Sequence, residues 1–144
     1  MKGKIRSAMR KDVEIITELF NSEPDVLLGD GETKYSEDDI ESYLNNRLNK
    51  SFVCEVDEDV VGVLLAQFWK NYVYLHTIVV DAEFREKGVG SILMNAMEKL
   101  AKEEKKYVIE LFSEIGNKSM QSFVKKRNYE KGGKFVFYSK KIRF

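Results

Sequence analysis

The sequence predicts a mixed α/β fold of the α+β type: a mostly antiparallel central sheet of six to seven strands accompanied by about four helices. Three features point there. Strand-like runs at Ser51 to Val56, Val60 to Trp69 and Tyr72 to Val80 are separated only by Asp57-Glu58-Asp59 and Lys70-Asn71, connections that permit nothing but antiparallel hairpins. Val89, Ile92, Leu93, Ala96, Met97 and Leu100 recur at helical spacing and form the clearest amphipathic stripe in the chain. Tyr107 to Phe112 then reads as a buried-type strand reached through that helix, so it should run parallel to the strand ending at Val80.

The other elements follow in chain order. Lys4 to Ser7 is a short opening strand, and Val13, Ile16, Leu19 and Phe20 fall at helical spacing behind a cap at Asp12. Asn21 to Gly31 carries Pro24 and two glycines among acidic residues and reads as a loop. Ser36, with Asp39 three residues later, looks like the cap of a second helix whose buried stripe is Ile40, Tyr43, Leu44 and Leu48. Asn117 opens a short helix with Met120, Phe123 and Val124 as its apolar members, and Tyr129 to Ile142 reads as a closing hairpin around Gly132-Gly133.

A chain of 144 residues, 43% hydrophobic and 33% charged, with one proline, reads as a single domain spanning 1–144. Cys54 is the only cysteine, which rules out an internal disulfide framework and a cysteine-based zinc site; no metal site is expected, and the pattern suits the cytoplasm. The longest apolar run, Val60 to Trp69, falls short of the roughly 20 residues that a membrane span needs, so no membrane partner is expected. Nucleic acid is not expected either, because the formal net charge is zero and no recognition motif is present. Charge is nonetheless uneven: residues 21–60 hold twelve acids against three bases, and residues 101–144 hold twelve bases against five acids. Either these are solvated faces that cancel on folding, or they mark a cation near the acidic stretch and an anion near the basic one.

Arg85-Glu86-Lys87-Gly88-Val89-Gly90 lies between a strand and the strongest helix, where unpaired amides and the helix dipole favour an anion such as phosphate. The alternative is ordinary close packing of a helix on a sheet. A dinucleotide fingerprint is disfavoured because Leu93 stands where its third glycine belongs, and Gly116-Asn117-Lys118-Ser119 lacks the first glycine of a P-loop.

The succession strand, two helices, three antiparallel strands, R-x-x-G-x-G helix, strand, helix and terminal strands resembles the GNAT superfamily of N-acetyltransferases over most of the chain. Ile78-Val79-Val80 through Arg85-Glu86-Lys87-Gly88-Val89-Gly90 is similar to that family's acetyl-CoA signature, and Ile109-Glu110-Leu111 leading to Asn117 matches its next strand and helix start. The resemblance implies a GNAT-like sheet with helices on both faces and acetyl-CoA as acetyl donor. It implies that the backbone of Ile78, Val79 and Val80 binds the pantetheine arm. The amides of Arg85, Glu86, Lys87, Gly88, Val89, Gly90 and Ser91 would wrap the pyrophosphate, and Asn117 would add a side-chain bond to the pantetheine. The implied activity is direct acetyl transfer to a small amine, polyamine or peptide amine. Edge strands near the C-terminus allow a homodimer.

Direct transfer needs a neutral amine, yet an alkylamine with pKa near 10.4 is less than about 0.1% neutral at pH 7. His76, the only histidine, sits in Leu75-His76-Thr77-Ile78-Val79-Val80, which resembles the strand of arylalkylamine acetyltransferases where a histidine relays protons. Strand alternation places it on the face of Ile78 and Val80, and it is the candidate catalytic base; the other reading is a satisfied histidine in a partly buried strand. The sequence departs from the family at two positions: Tyr74 stands where a glutamate base is commoner, with Glu110 as a substitute acceptor, and Val124 stands where a tyrosine acid is usual, with Tyr129 as a substitute. Those departures leave open a second reading, a noncatalytic acetyl-CoA-binding module or sensor.

Overall fold

The computed structural model describes residues 2–23 and 34–144, in two compact units, Met1–Glu110 and Leu111–Phe144. In the first, β1 (Lys4–Ser7) leads through a 3₁₀ turn (Arg10–Asp12) into α1 (Val13–Asn21); α2 (Glu37–Asn45), β2 (Asn49–Val56), β3 (Asp59–Phe68), β4 (Tyr72–Val80), α3 (Val89–Glu103) and β5 (Val108–Glu110) follow. The strands form one sheet in the order β1-β2-β3-β4-β5, antiparallel except for the parallel pair β4/β5. The second unit holds α4 (Lys118–Lys126).

Two helical stripes cover the two faces of the sheet. Val13, Ile16, Leu19 and Phe20 of α1 and Ile40 of α2 pack with Val53, Val63, Leu65 and Val79 on one face. Phe20 and Ile16 are fully enclosed, and burying each such side chain contributes roughly 1.5–3 kcal/mol. The opposite face receives α3. A Cβ on Gly62 would lie 2.8 Å from Val89 Cγ1 and 3.0 Å from Leu93 Cδ1, so the bare glycine lets α3 dock directly on β3.

Local chemistry explains the helix starts. Ser36 Oγ accepts from the Asp39 amide at 3.2 Å, and Asp39 returns the bond to the Ser36 amide at 2.7 Å, the reciprocal cap expected from the sequence. α4 starts on Asn117, whose Oδ1 accepts from the Met120 amide at 3.0 Å. It ends in a left-handed Asn128 (φ 69°), with the Tyr129 amide donating to the Val124 carbonyl and the Asn128 amide to that of Lys125. Asparagine tolerates that conformation, so it serves where glycine is usual.

Four expectations need correction. Among the described residues the sheet has five strands, not six to seven, because residues 129–144 form no strand: neither Gly132 nor Gly133 takes the positive φ that a tight hairpin turn requires, and Phe135 to Tyr138 are exposed. β5 is three residues long, and Tyr107 and Phe112, assigned to its buried run, are largely exposed. α2 stops at Asn45, where the Asn46 backbone turns extended, so Leu48 lies outside its stripe and is 40% exposed. The loop expected over Asn21 to Gly31 begins later, since Asn21 closes α1, and from residue 24 it lies outside the described residues.

Candidate active site

β4 is where the sheet opens. It pairs with β3 along its length, but with β5 only at Tyr72, Val73 and Tyr74. Among the described residues, no strand lies beside Leu75 to Val80 on that edge. Ile78 and Val80 turn their backbone groups to that side, where they are available to a ligand lying along the strand, whereas Val79, opposite Val63, turns its own to β3.

The opened edge leads to the start of α3. Asp81 Oδ1 accepts from the Glu83 amide at 2.9 Å and closes a 3₁₀ turn over Ala82–Phe84. The chain then passes through left-handed Glu86 (φ 59°) and Gly88 (φ 86°) into the helix. Gly88 is the N-cap and supplies no side-chain acceptor, and the first turn contains no acid. The first intrahelical bond runs from the Ile92 amide to the Gly88 carbonyl, which leaves the amides of Val89, Gly90 and Ser91 without helical partners. α2 and α4 are capped by their own side chains; the fifteen-residue α3, with the largest dipole, is not. A Cβ on Gly88 would meet nothing within 4 Å among the described residues, so the turn that presents these amides is not packed against at that point. These features fit a pyrophosphate. A close-packing role of the kind weighed for the glycine pair is filled by Gly62, which in the sequence stands out only as a break, with Gln67, in the apolar run from Val60 to Trp69.

The Arg85 side chain does not point to a free phosphate contact. Its Nε donates to the Val80 carbonyl at 3.1 Å, and its guanidinium pairs with Glu23, just beyond α1. It ties the loop to the end of β4, leaving the Arg85 amide as the ligand-binding group. Lys87 Nζ lies 5.5 Å from the Phe84 ring centroid, within cation–π range.

His76 lies at the start of the opened edge, in a β-bulge. Ala66 pairs with Leu75 and Leu65 with Thr77, so His76 is the extra residue of β4. The bulge reverses the alternation. Tyr74 pairs with Gln67, Thr77 with Leu65 and Val79 with Val63, on the α1/α2 face; Ile78 and Val80 pair with Leu64 and Gly62, on the α3 face. The His76 ring meets Tyr43 at 5.5 Å, Tyr74 at 6.2 Å and Tyr35 at 6.4 Å between centroids, and therefore belongs to the α1/α2 face. The expectation that it shares a face with Ile78 and Val80 is wrong, because simple alternation takes no account of an extra residue.

Burial holds the His76 pKa below the ordinary 6.5, which favours the neutral ring. Nδ1 lies 2.8 Å from Thr77 Oγ1. Burial also raises the phenol pKa values of Tyr35, Tyr43 and Tyr74, so these groups stay protonated around neutrality. The buried Tyr43 hydroxyl has no hydrogen-bond partner among the described residues. Glu110 is in register with Tyr74 and so lies on this face, exposed. Asn117 belongs to the second unit; its Oδ1 is engaged in capping α4, so only its amide nitrogen is left to donate.

A five-stranded, mostly antiparallel sheet that opens beside β4 and leads to an uncapped, glycine-started helix is the architecture of an acyl-CoA-binding transferase. The sequence matches the model of the acetyltransferase (GNAT) family over residues 13–129, and the chain belongs to that family, whose acetyl donor is acetyl-CoA. It is 31% identical over 86 residues to an uncharacterized N-acetyltransferase of Methanocaldococcus jannaschii, covering 55% of this chain and 38% of that one; the chain thus spans well under half of that relative's length. Its fold is similar to that of Ard1 from Thermoplasma volcanium (TM-score 0.80, 23% identity, 92% of this chain and 86% of that chain). It is also similar to an aminoglycoside acetyltransferase from an uncultured soil metagenomic sample, solved with sisomicin (TM-score 0.78, 16% identity, 96% and 97%). No helix among the described residues is long and apolar enough to cross a membrane.

Proposed function

We propose that this chain is an acetyl-CoA-dependent N-acetyltransferase that acts on a primary amine by direct attack, with His76 as the base. One observation carries the reading: the opened edge of β4 runs from a half-buried imidazole at the bulge to the bare amides of α3. The outward backbone groups of Ile78 and Val80 and the amides of Arg85, Glu86, Lys87, Gly88, Val89, Gly90 and Ser91 hold the donor. The donor supplies an activated acetyl thioester. The chain supplies a proton acceptor: an ammonium with pKa near 10.4 must lose a proton before it attacks, and a ring held neutral by burial is ready to take it. A departing thiolate, with a pKa near the 8.5 of cysteine, leaves without an acid, which fits Val124 in place of the usual tyrosine.

A cationic acceptor is favoured by the acid-rich sequence around α1 and α2, which holds Glu23, Asp25, Asp30, Glu32 and Asp38; Glu23 is paired with Arg85, and Asp25, Asp30 and Glu32 lie outside the described residues. That amine-bearing sisomicin was bound to one structural neighbour is in keeping with this class. The test is thiol release from acetyl-CoA across a panel of polyamines, aminoglycosides, arylalkylamines and lysine or N-terminal peptides. Turnover weighted to cations and weakened by salt is expected. Tight acetyl-CoA binding with no turnover on any amine would instead identify a noncatalytic binding module.

A further inference from the structure

By its amide Arg85 belongs to the donor loop, but its side chain is committed elsewhere. Nε donates to the Val80 carbonyl at 3.1 Å, and Nη2 pairs with Glu23 Oε1. A planar guanidinium can serve two such acceptors at once, which the point charge of a lysine cannot. The carbonyl keeps a second lone pair for a ligand lying along the strand. The Arg85 and Glu23 side chains are 47% and 23% exposed, and a pair that open adds little to stability. What it does fix is position. The Ser22 amide donates to the Glu18 carbonyl at 3.0 Å and the Glu23 amide to that of Phe20 at 3.2 Å, so Glu23 is held to the last turn of α1. That turn also holds the entry to α2: Asn21 Nδ2 donates to the Tyr35 carbonyl at 3.1 Å, and the Phe20 ring meets Tyr35 edge-on at 5.2 Å. Tyr35 in turn borders His76, 6.4 Å away between ring centroids. Direct contacts therefore run from the donor loop to the ring beside His76.

We propose that the Arg85 side chain is a positioning group, a strap that joins the donor loop through Glu23 to the end of α1 and so to Tyr35, while the phosphates are left to the backbone amides. When a donor fixes the loop, the wall beside His76 is fixed with it. That consequence rests on the donor lying at the α3 amides, whereas the strap itself does not.

Hydrogen exchange measured by NMR tests both parts. In the ligand-free protein the Ser22 amide and the Asn21 side-chain amide should exchange about two- to fivefold faster in Glu23→Gln, in Arg85→Met and in the double variant alike, because all three lose the same pair. Acetyl-CoA added to wild type should slow exchange at Val89, Gly90 and Ser91 and, through the strap, at Ser22 and Asn21. Glu23→Gln should keep the first effect, lose the second, and leave the Kd for acetyl-CoA within about threefold of wild type. Effects that add in the double variant, or protection of α1 that persists in Glu23→Gln, overturn the proposal. So does acetyl-CoA binding that is weakened about tenfold or more in Arg85→Met, or tightened in Glu23→Gln, because either would make the guanidinium a phosphate ligand. If acetyl-CoA slows none of the three α3 amides in wild type, the donor assignment falls, and the ligand-free comparison still decides the strap.

Discussion

Two polar clusters lie on the α1/α2 face of the sheet, and they are finished to different degrees. Arg6 donates to both oxygens of Asp12 at 2.7 and 2.8 Å and pairs with Glu55, while Asp12 also accepts from the Met9 amide at 2.7 Å. Every charge there has a partner, and Asp12 is 3% exposed. Among the described residues around His76, by contrast, one nitrogen has a bond, the Tyr43 hydroxyl has none, and the adjoining edge of β4 is unpaired. A closed network of this kind stabilises the fold. An incomplete one beside an open strand edge costs stability, and it is where a ligand has something to complete.

The largest effect is expected at the closed cluster. Asp12→Ala leaves the Arg6 charge short of its main partner and should lower unfolding free energy by about 3 kcal/mol in a denaturant titration. The pH dependence has a definite sign. Burial alone would raise the Asp12 pKa, but the bonds from Arg6 and Met9 outweigh it and hold it below the ordinary 3.8. Its contribution is therefore complete above pH 3.8 and is lost as pH falls through the lower folded value. Wild type should destabilise steeply in that window, and the alanine variant should not. An equally steep loss in both would remove Asp12 as the cause.

The open cluster should respond the other way. His76→Gln is expected to leave stability nearly unchanged and to lower kcat by about a hundredfold. It should also erase the acid limb of kcat/KM, which in wild type lies below the ordinary histidine value because burial favours the neutral ring. A variant with intact kinetics but reduced stability would reassign His76 to packing.

The smallest predicted change in stability is at the helix start. Gly88→Ala puts a methyl group at φ 86°, at a cost of about 1 kcal/mol in strain. That methyl touches nothing among the described residues but stands at the turn that presents the α3 amides. The dissociation constant for acetyl-CoA should rise by at least about tenfold, more than the strain explains. Equal binding in an equally stable variant would move the pyrophosphate away from this turn.

Much of this was legible in the residues because it depends on near neighbours. The limits of β1 and β4, the start of α3 on Gly88, the reciprocal cap at Ser36 and Asp39, and the cap at Asn117 all arise from contacts within a few positions. The terminal hairpin was misread because Gly132-Gly133 permits a tight turn without compelling one. The bulge at His76 was missed for a related reason: an extra residue in β4 is defined by its register with β3, and nothing in Leu75-His76-Thr77 announces it. Local sequence therefore determines where helices begin and which loop offers bare amides, since propensities and caps act over single turns. Which face His76 occupies, that Thr77 reaches its Nδ1, that Gly62 rather than Gly88 seats α3, and where β5 parts from β4 are consequences of strand pairing and helix docking between residues far apart in the chain.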